Sequence, residues 1–294
     1  MTLDHLTPLD PAYPNRLRAL GDAPASMTLR GGPLDAEHTV AIVGSREPTH
    51  EALAFANDLS SAVARTGAVV VSGGALGIDA AAHVGALNSG GRTWAVAATG
   101  HEHCFPAAHA QLFETIARGP GTMIWPFASG YAGRGGFLAR NRVLVGLADV
   151  VVVVQAGFPS GALSSAGWAR RLGKPLWVVP APPWMDGFAG SRQLIDQGAR
   201  PLTSIPRLLE SLDLRGPSEA KSPPPEASAS RPLSSSESSI LASMSSTALH
   251  TDAIALRAGE TCSAAAAALL TLALENVVVE GPPGFFRRGV AHNR

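Results

Sequence analysis

Residues 39–46 read Thr-Val-Ala-Ile-Val-Gly-Ser-Arg, and residues 69–79 read Val-Val-Val-Ser-Gly-Gly-Ala-Leu-Gly-Ile-Asp. Each is a short apolar run that stops abruptly at glycine and serine. Runs that are apolar at every position, rather than at alternate ones, are strands buried on both faces. Between them Glu51–Arg65 carries Leu53, Phe55, Ala56, Leu59 and Val63 at helical spacing. The same alternation continues outward. Ile78–Asn88 is alanine-rich and helical, and Arg92–Ala98 is a third strand that ends in Thr99-Gly100. His109–Ala117 is helical and Thr122–Trp125 is a strand. Arg140–Leu147 opens a helix, Val150–Val154 is the most β-branched run of the chain, Leu163–Leu172 is helical, and Leu176–Val179 is a last strand. The pattern predicts an α/β fold, a doubly wound and mostly parallel sheet with helices on both faces. Such sheets take ligands at the carboxyl ends of their strands, beside helix N-termini.

The chain has 294 residues, with 23 Lys+Arg against 23 Asp+Glu, and 46% of it is hydrophobic. That is enough apolar mass for a core and too little net charge for a disordered protein, and the length allows one or two domains. Gly (31) and Pro (23) are frequent, but without a Gly-X-Y period, which excludes collagen. Cys104 and Cys262 lie too far apart to suggest a disulfide framework or a cysteine-based zinc site. No apolar run approaches the ~20 residues of a membrane span. The start, Met-Thr-Leu-Asp-His, has no basic and apolar leader, so a cytoplasmic protein without a membrane partner is expected.

Residues 213–237, rich in Pro, Ser and Ala, read as a linker. Residues 1–38 are set apart as an N-terminal extension packing on the body, and residues 39–212 form the Rossmann-like body. Residues 238–294 form a small tail. Ser238–Met244, Thr251–Arg257 and Ser263–Glu275 are its expected helices, with Thr251 as an N-cap and Gly259 as a stop. Val277–Glu280 and Phe285–Arg288, joined by Gly-Pro-Pro-Gly, are an expected hairpin. Helices followed by a terminal hairpin suggest a winged helix.

Three successive strands end in small residues: Gly44-Ser45-Arg46, then Ser72-Gly73-Gly74 with Gly77, then Thr99-Gly100. Small residues let a ligand approach the backbone, and their amides and hydroxyls bind anions. The same residues also suit the tight strand-to-helix turns that any doubly wound fold requires. Arg140-Asn141-Arg142 at a helix opening places two guanidiniums to flank a phosphate. Ser160-Gly161, running into Ser164 and Ser165, is a further anion cradle. No G-x-G-x-x-G follows the first strand, no G-x-x-x-x-G-K-[ST] exists and no G-x-S-x-G elbow is present, which removes the simplest dinucleotide, triphosphatase and hydrolase readings. His101 and His103 read as an exposed loop pair rather than metal ligands, and no cofactor, metal or catalytic residue is expected.

The ordered set of blocks is similar to the DprA/Smf family of DNA-processing proteins. It comprises Val40–Arg46, Ser72–His83, Gly85-Ala-Leu87, Phe137–Arg142, Ser160–Leu163 and Gln193–Ala199, with Tyr13-Pro14 and Leu29–Gly32 upstream. The resemblance runs from about Leu6 to about Pro206, and the tail resembles the winged helix that many members carry. It implies an extended Rossmann fold that binds single-stranded DNA, forms a homodimer and helps load RecA recombinase during natural transformation, without catalysis. It also implies that Arg46 contacts DNA phosphate, that Ser72, Gly73 and Gly77 form the second loop of the site, and that Arg140, Asn141 and Arg142 contribute. Phe105 stands where the family usually has tyrosine. The chain departs from the pattern at Leu76, where the family has arginine, at Ala139, where it has a basic residue, at Ile124–Pro126 and at Pro180-Ala181.

Three readings follow. In the first, single-stranded DNA crosses the strand ends, held by Arg46, Arg140, Arg142 and backbone amides, with Phe105 as either the one stacking ring or a core residue. In the second, the chain is a nucleotide-monophosphate phosphoribohydrolase of the lysine-decarboxylase-like family. That chemistry places a glutamate after a late strand, where Gly157–Ser165 has none. In the third, DNA binding is lost and the protein is an interaction scaffold, consistent with neutrality and with Leu76.

Overall fold

The computed structural model describes residues 3–133, 135–214, 233–244, 249–274, 277–280 and 285–288. The chain divides into two units, Met1–Ala220 and Lys221–Arg294.

In the first unit the order is β1 (Asp4–Leu6), α1 (Asn15–Arg18), β2 (Met27–Gly31), β3 (Thr39–Val43), α2 (His50–Arg65) and β4 (Val69–Ser72). Then follow α3 (Ile78–Asn88), β5 (Thr93–Val96), α4 (Ala110–Arg118), β6 (Thr122–Trp125), α5 (Gly136–Leu147) and β7 (Val150–Val153). The unit ends with α6 (Gly161–Arg171), β8 (Leu176–Val178), α7 (Ala189–Asp196), β9 (Arg200–Pro201) and α8 (Ile205–Ser211). The nine strands form one sheet in the order β1-β2-β6-β5-β4-β3-β7-β8-β9. From β6 to β9 every pairing is parallel, with Val40 opposite Val150 and Thr39 opposite Val69, whereas β1 and β2 add an antiparallel edge.

The unbroken apolar runs have the cause expected of them. Alternate residues of β3, β4 and β7 enter two different cores. Ala41, Val43, Val69, Val71, Val151 and Val153 pack with residues of α1, α5 and α6. Val40, Ile42, Val70, Val150 and Val152 pack with residues of α2, α3 and α8. Each wholly buried valine contributes roughly 1.5–3 kcal/mol relative to exposure. Residues 1–38, set apart above as an extension, supply β1 and β2 to the sheet itself, and Tyr13, Leu17, Met27 and Leu29 lie in the same core as α5. The mixed polarity of Met27–Gly31 hides this strand, because its partner on one side is only the short β1.

The second unit contains α9 (Ser235–Ser243), β10 (Leu249–His250), α10 (Thr251–Ala258), α11 (Cys262–Leu274), β11 (Val278–Glu280) and β12 (Phe285–Arg288). Its strands form a separate sheet, β10-β12-β11. Ser234 caps α9 reciprocally with Glu237, so the helix begins at Ser235, ahead of the expected Ser238. His250, rather than Thr251, is the N-cap of α10, and Gly259 ends that helix in the left-handed region at φ 69°. Ile240, Leu241, Ile254, Leu269 and Leu272 close a core of the unit's own. Most of the expected linker, residues 215–232, lies outside the described residues.

Candidate nucleic-acid interface

The chain runs β3-β4-β5-β6 to one side and then returns to place β7 on the other side of β3. The connections leaving β3 and β7 therefore diverge and open a crevice at their carboxyl ends. A cleft of about 400 Å³ lies there, lined by Gly44, Ser45 and Arg46 after β3 and by Gly157, Pro159, Ser160 and Gly161 after β7. Phe137, Leu138, Arg140, Asn141 and Leu144 of α5, Ala162 and Ser165 of α6, and Glu47 and Asp79 also line it.

The turn after β3 is held rigidly. The Ser45 N–H donates to the Gln155 carbonyl at 2.8 Å, and the Ser45 carbonyl accepts from the Ile78 N–H at 3.1 Å. Gln155 is 2% exposed; its side-chain oxygen accepts from the Thr49 N–H at 2.9 Å and its amide nitrogen donates to the Gly187 carbonyl at 3.4 Å. One buried amide thus ties together the loops after β3, β7 and β8. The reading of the residues passed over Gln155; its signal is a lone amide closing the valine run of β7. Arg46 projects from this fixed turn and is exposed, with its guanidinium over the Phe137 ring at 5.1 Å. Among the described residues it makes no ion pair. Phe105 is 52% exposed and meets the edge of Phe137 at 5.1 Å, so Arg46, Phe137 and Phe105 form a continuous ridge.

The expectation that Arg140, Asn141 and Arg142 open a helix is not met. They lie in the middle of α5, which begins at Gly136, so no helix N-terminus aids them. Arg140 is 6% exposed, donates to the Gly73 and Val96 carbonyls, and faces the Asp79 carboxylate at 3.5 Å. Burial raises the Asp79 carboxyl, with the Arg140 charge pulling the other way, and burial lowers Arg140. Arg140 is a keystone tying α5 to β4, β5 and α3, not a free cation. Arg142 points elsewhere and pairs with Asp22. Two residues apart on a helix, the arginines stand on opposite sides and cannot flank one phosphate. Asn141 does face the cleft; its oxygen accepts from Arg140 Nε at 3.1 Å and its amide donates to the Gly161 carbonyl at 3.3 Å.

The strand-end glycines were expected to admit a ligand, and most of them admit neighbouring protein instead. A Cβ on Gly73 would overlap the Arg140 guanidinium, and one on Gly44 would meet Ile78 at 2.6 Å. One on Gly74 would meet the Phe113 ring at 2.7 Å, and one on Gly100 would meet the Ala128 carbonyl at 2.5 Å. Gly77, at φ 76°, has the Ser45 carbonyl against it. Ser72 is wholly buried and donates to the Ile42 carbonyl at 2.6 Å. Of the expected site glycines, Gly161 alone opens on empty space. The structure therefore gathers Gly44, Ser45, Arg46, Arg140, Asn141, Ser160 and Gly161 at the cleft. Phe105 and Gly73 lie at the adjoining apolar hollow, and Ser72, Gly74, Gly77, Gly100 and Arg142 line neither space. Leu76, which is 47% exposed, borders the same hollow as Arg46.

Behind the site His83 is wholly buried, with Nδ1 at 2.7 Å from the Thr93 hydroxyl. That hydroxyl donates to the Val70 carbonyl at 2.8 Å, so the imidazole donates from Nδ1. Burial, with the nearby Arg140 and His109 charges, pushes its pKa down to about 3. His101 and His103 are not joined by further ligands: among the described residues no group of three His, Cys, Asp or Glu gathers to hold a metal ion. No helix of the described residues is long and apolar enough to cross a membrane.

Residues 4–213 match the DNA recombination-mediator protein A family, and residues 223–284 match the DprA winged helix domain. The chain is 37% identical over 214 residues to Protein Smf of a Synechocystis species, across 70% of this chain and 53% of that protein. It spans about half the length of several curated relatives that it matches. A structure of DNA processing protein A from Helicobacter pylori, described for its single-stranded DNA binding mode, is 30% identical with a TM-score of 0.64, covering 71% of this chain and 95% of that one. The X-ray structure of DprA from Streptococcus pneumoniae is 32% identical with a TM-score of 0.67, covering 71% and 74%.

Proposed function

The chain belongs to the DNA recombination-mediator protein A family, and on that premise we propose that its sheet-bearing unit binds single-stranded DNA along the ridge and cleft at the carboxyl ends of β3 and β7. The observation that carries the reading is Arg46, an exposed cation with no ion-pair partner among the described residues, held on a pinned turn at a topological switch point. A phosphate there meets a charge already in place and a ring surface beside it for a base. The kinship with the Helicobacter pylori protein supports the same ligand.

The role that follows is non-catalytic: the protein acts in the cytoplasm as a homodimer, holds single strands entering the cell during natural transformation, and helps load RecA recombinase onto them. Residues 39–212 carry the DNA contact in this scheme, and residues 238–294, joined to them through 213–237, serve partners. Arg46→Ala tests the site. A phosphate contact of ~1.5–3 kcal/mol makes its loss worth more than about tenfold in affinity for a labelled oligothymidylate, with the melting temperature unchanged. Unchanged affinity in a folded variant would remove the cleft from the DNA path.

A further inference from the structure

Ser165 stands apart from every other buried hydroxyl of the sheet-bearing unit. It is 2% exposed and lines the cleft, yet among the described residues its Oγ makes no hydrogen bond. The remaining buried serines and threonines of that unit, Ser72, Thr93 and Ser191 among them, all have partners. The hydroxyl opens onto the cleft, where it stands as an unengaged group for whatever enters.

Its position says what that is. Ser165 lies one helical turn beyond Gly161, on the same side of α6, so the hydroxyl and the Gly161 end of the helix line the cleft together. Ser160 caps the Ala162 N–H at 3.2 Å, and the first turn holds no acidic side chain to neutralise the positive end of the helix dipole. Of the carboxylates lining the cleft, Asp79 is engaged by Arg140 and Glu47 is exposed to solvent. α5 adds the apolar side chains of Phe137, Leu138 and Leu144 beside Arg140 and Asn141. A volume of about 400 Å³ lies within the ~300–1,000 Å³ typical of small-ligand sites.

We infer that the cleft seats a terminal phosphate monoester at Ser165 and the α6 N-terminus, either that of a nucleoside 5′-monophosphate or that of the phosphorylated 5′ end of a DNA strand. A monoester presents three free oxygens and about −1.5 to −2 charge. It can engage Ser165, the helix end and Arg46 together, with its sugar and base toward Phe137 and Leu138. An internal diester carries a single charge and two free oxygens, so it gains less from the helix end and from Arg46 than a monoester does. The inference rests on the single-strand reading for its strand-end form and deepens the same site.

The test uses the full chain, calorimetry with thymidine 5′-monophosphate against thymidine, and oligothymidylates with a 5′-phosphate or a 5′-hydroxyl. Two variants accompany it. Ser165→Ala removes the hydroxyl. Gly161→Asp places a carboxylate at the helix end, where an added Cβ meets nothing within 4 Å and a negative charge favours the helix, so the fold is retained. The monophosphate should bind at least about tenfold more tightly than thymidine, Ser165→Ala should weaken it about threefold or more, and Gly161→Asp should abolish it. A preference of about tenfold for the phosphorylated oligonucleotide identifies a strand end as the source, and equal affinity for both oligonucleotides with the monophosphate still bound identifies a free nucleotide. Equal binding of the monophosphate and thymidine, or monophosphate binding indifferent to Gly161→Asp, overturns the inference. Loss of 5′-hydroxyl oligonucleotide binding alone would instead overturn the function proposed above and leave the phosphate seat standing.

Discussion

Replacing Arg140 separates a structural arginine from a DNA-contacting one. In Arg140→Met the hydrocarbon stem is kept and the guanidinium is lost. The Gly73 and Val96 carbonyls lose their donor, and the Asp79 carboxylate, 5% exposed, loses its counter-charge at 3.5 Å. Breaking one side of a buried ion pair costs about 3–5 kcal/mol. At about 2–4 °C per kcal/mol for a unit of this size, the melting temperature should fall by roughly 6–20 °C. Without its partner, the Asp79 carboxyl, already raised by burial, rises further. A carboxyl whose folded pKa exceeds its unfolded value keeps a proton that the unfolded chain releases, so the penalty should grow as pH rises through that window and shrink below it. All five tryptophans lie between Trp94 and Trp184, so their fluorescence reports this unit and not the tail. Adding Asp79→Asn removes the stranded charge and should recover part of the loss, giving a coupling of about 0.5–3 kcal/mol in a double-mutant cycle. An Arg140→Met protein of wild-type stability that has lost DNA binding would refute the keystone role and restore Arg140 as a phosphate contact.

Leu76→Arg should tighten single-strand binding and steepen the log–log salt dependence by about 0.7, since residue 76 borders the hollow beside Arg46; an unchanged slope would mean the second loop does not face DNA. Deleting residues 216–294 should leave single-strand affinity within about threefold, because the cleft belongs wholly to the first unit; loss of binding by a folded truncation would make the tail part of the site. His83, held neutral with its pKa near 3 against an unfolded value near 6.5, contributes stability that is fully present above about pH 6.5 and is lost as pH falls. The deficit should reach about 2 kcal/mol at pH 5 and be absent from His83→Gln, and denaturant titrations at pH 7.5 and 5 that show the same loss in both proteins would refute it.

The parallel strands were legible because each is buried on both faces, which leaves an uninterrupted apolar run as its trace. β3 and β6 have the bounds that their residues suggest, and α3 likewise. The antiparallel edge was not legible. In β2, Thr28 and Arg30 face groups on neighbouring elements, His5 and Glu114, and those partners are far away in sequence. The short α7 carries Arg192 and Gln193 among few apolar residues, and its place is set by Leu194 entering a core whose other members include residues of β7 and α6. Local pattern has no access to such long-range partners, and a strand or helix whose burial depends on them leaves a weak signal.

At the site the opposed directions of Arg140 and Arg142 were available from helical geometry alone, since residues two apart turn through roughly 200°. Which of the two turns inward was not available, because it depends on Gly73 and Asp79 converging from β4 and α3 on the same guanidinium. The glycines make the same point more generally. A missing side chain records that something approaches closely, and a strand end offers two candidates, a ligand or another part of the chain. At Gly44, Gly73 and Gly100 the approaching group is Ile78, Arg140 and the Ala128 backbone. The turns are small so that the sheet, α3 and α5 can close behind the cleft, and that closure fixes where Arg46 stands. Gly161 has no such neighbour. Its emptiness, set directly above an unpartnered Ser165, is why the phosphate-accepting role falls on the N-terminus of α6 rather than on the glycine-rich turn after β4.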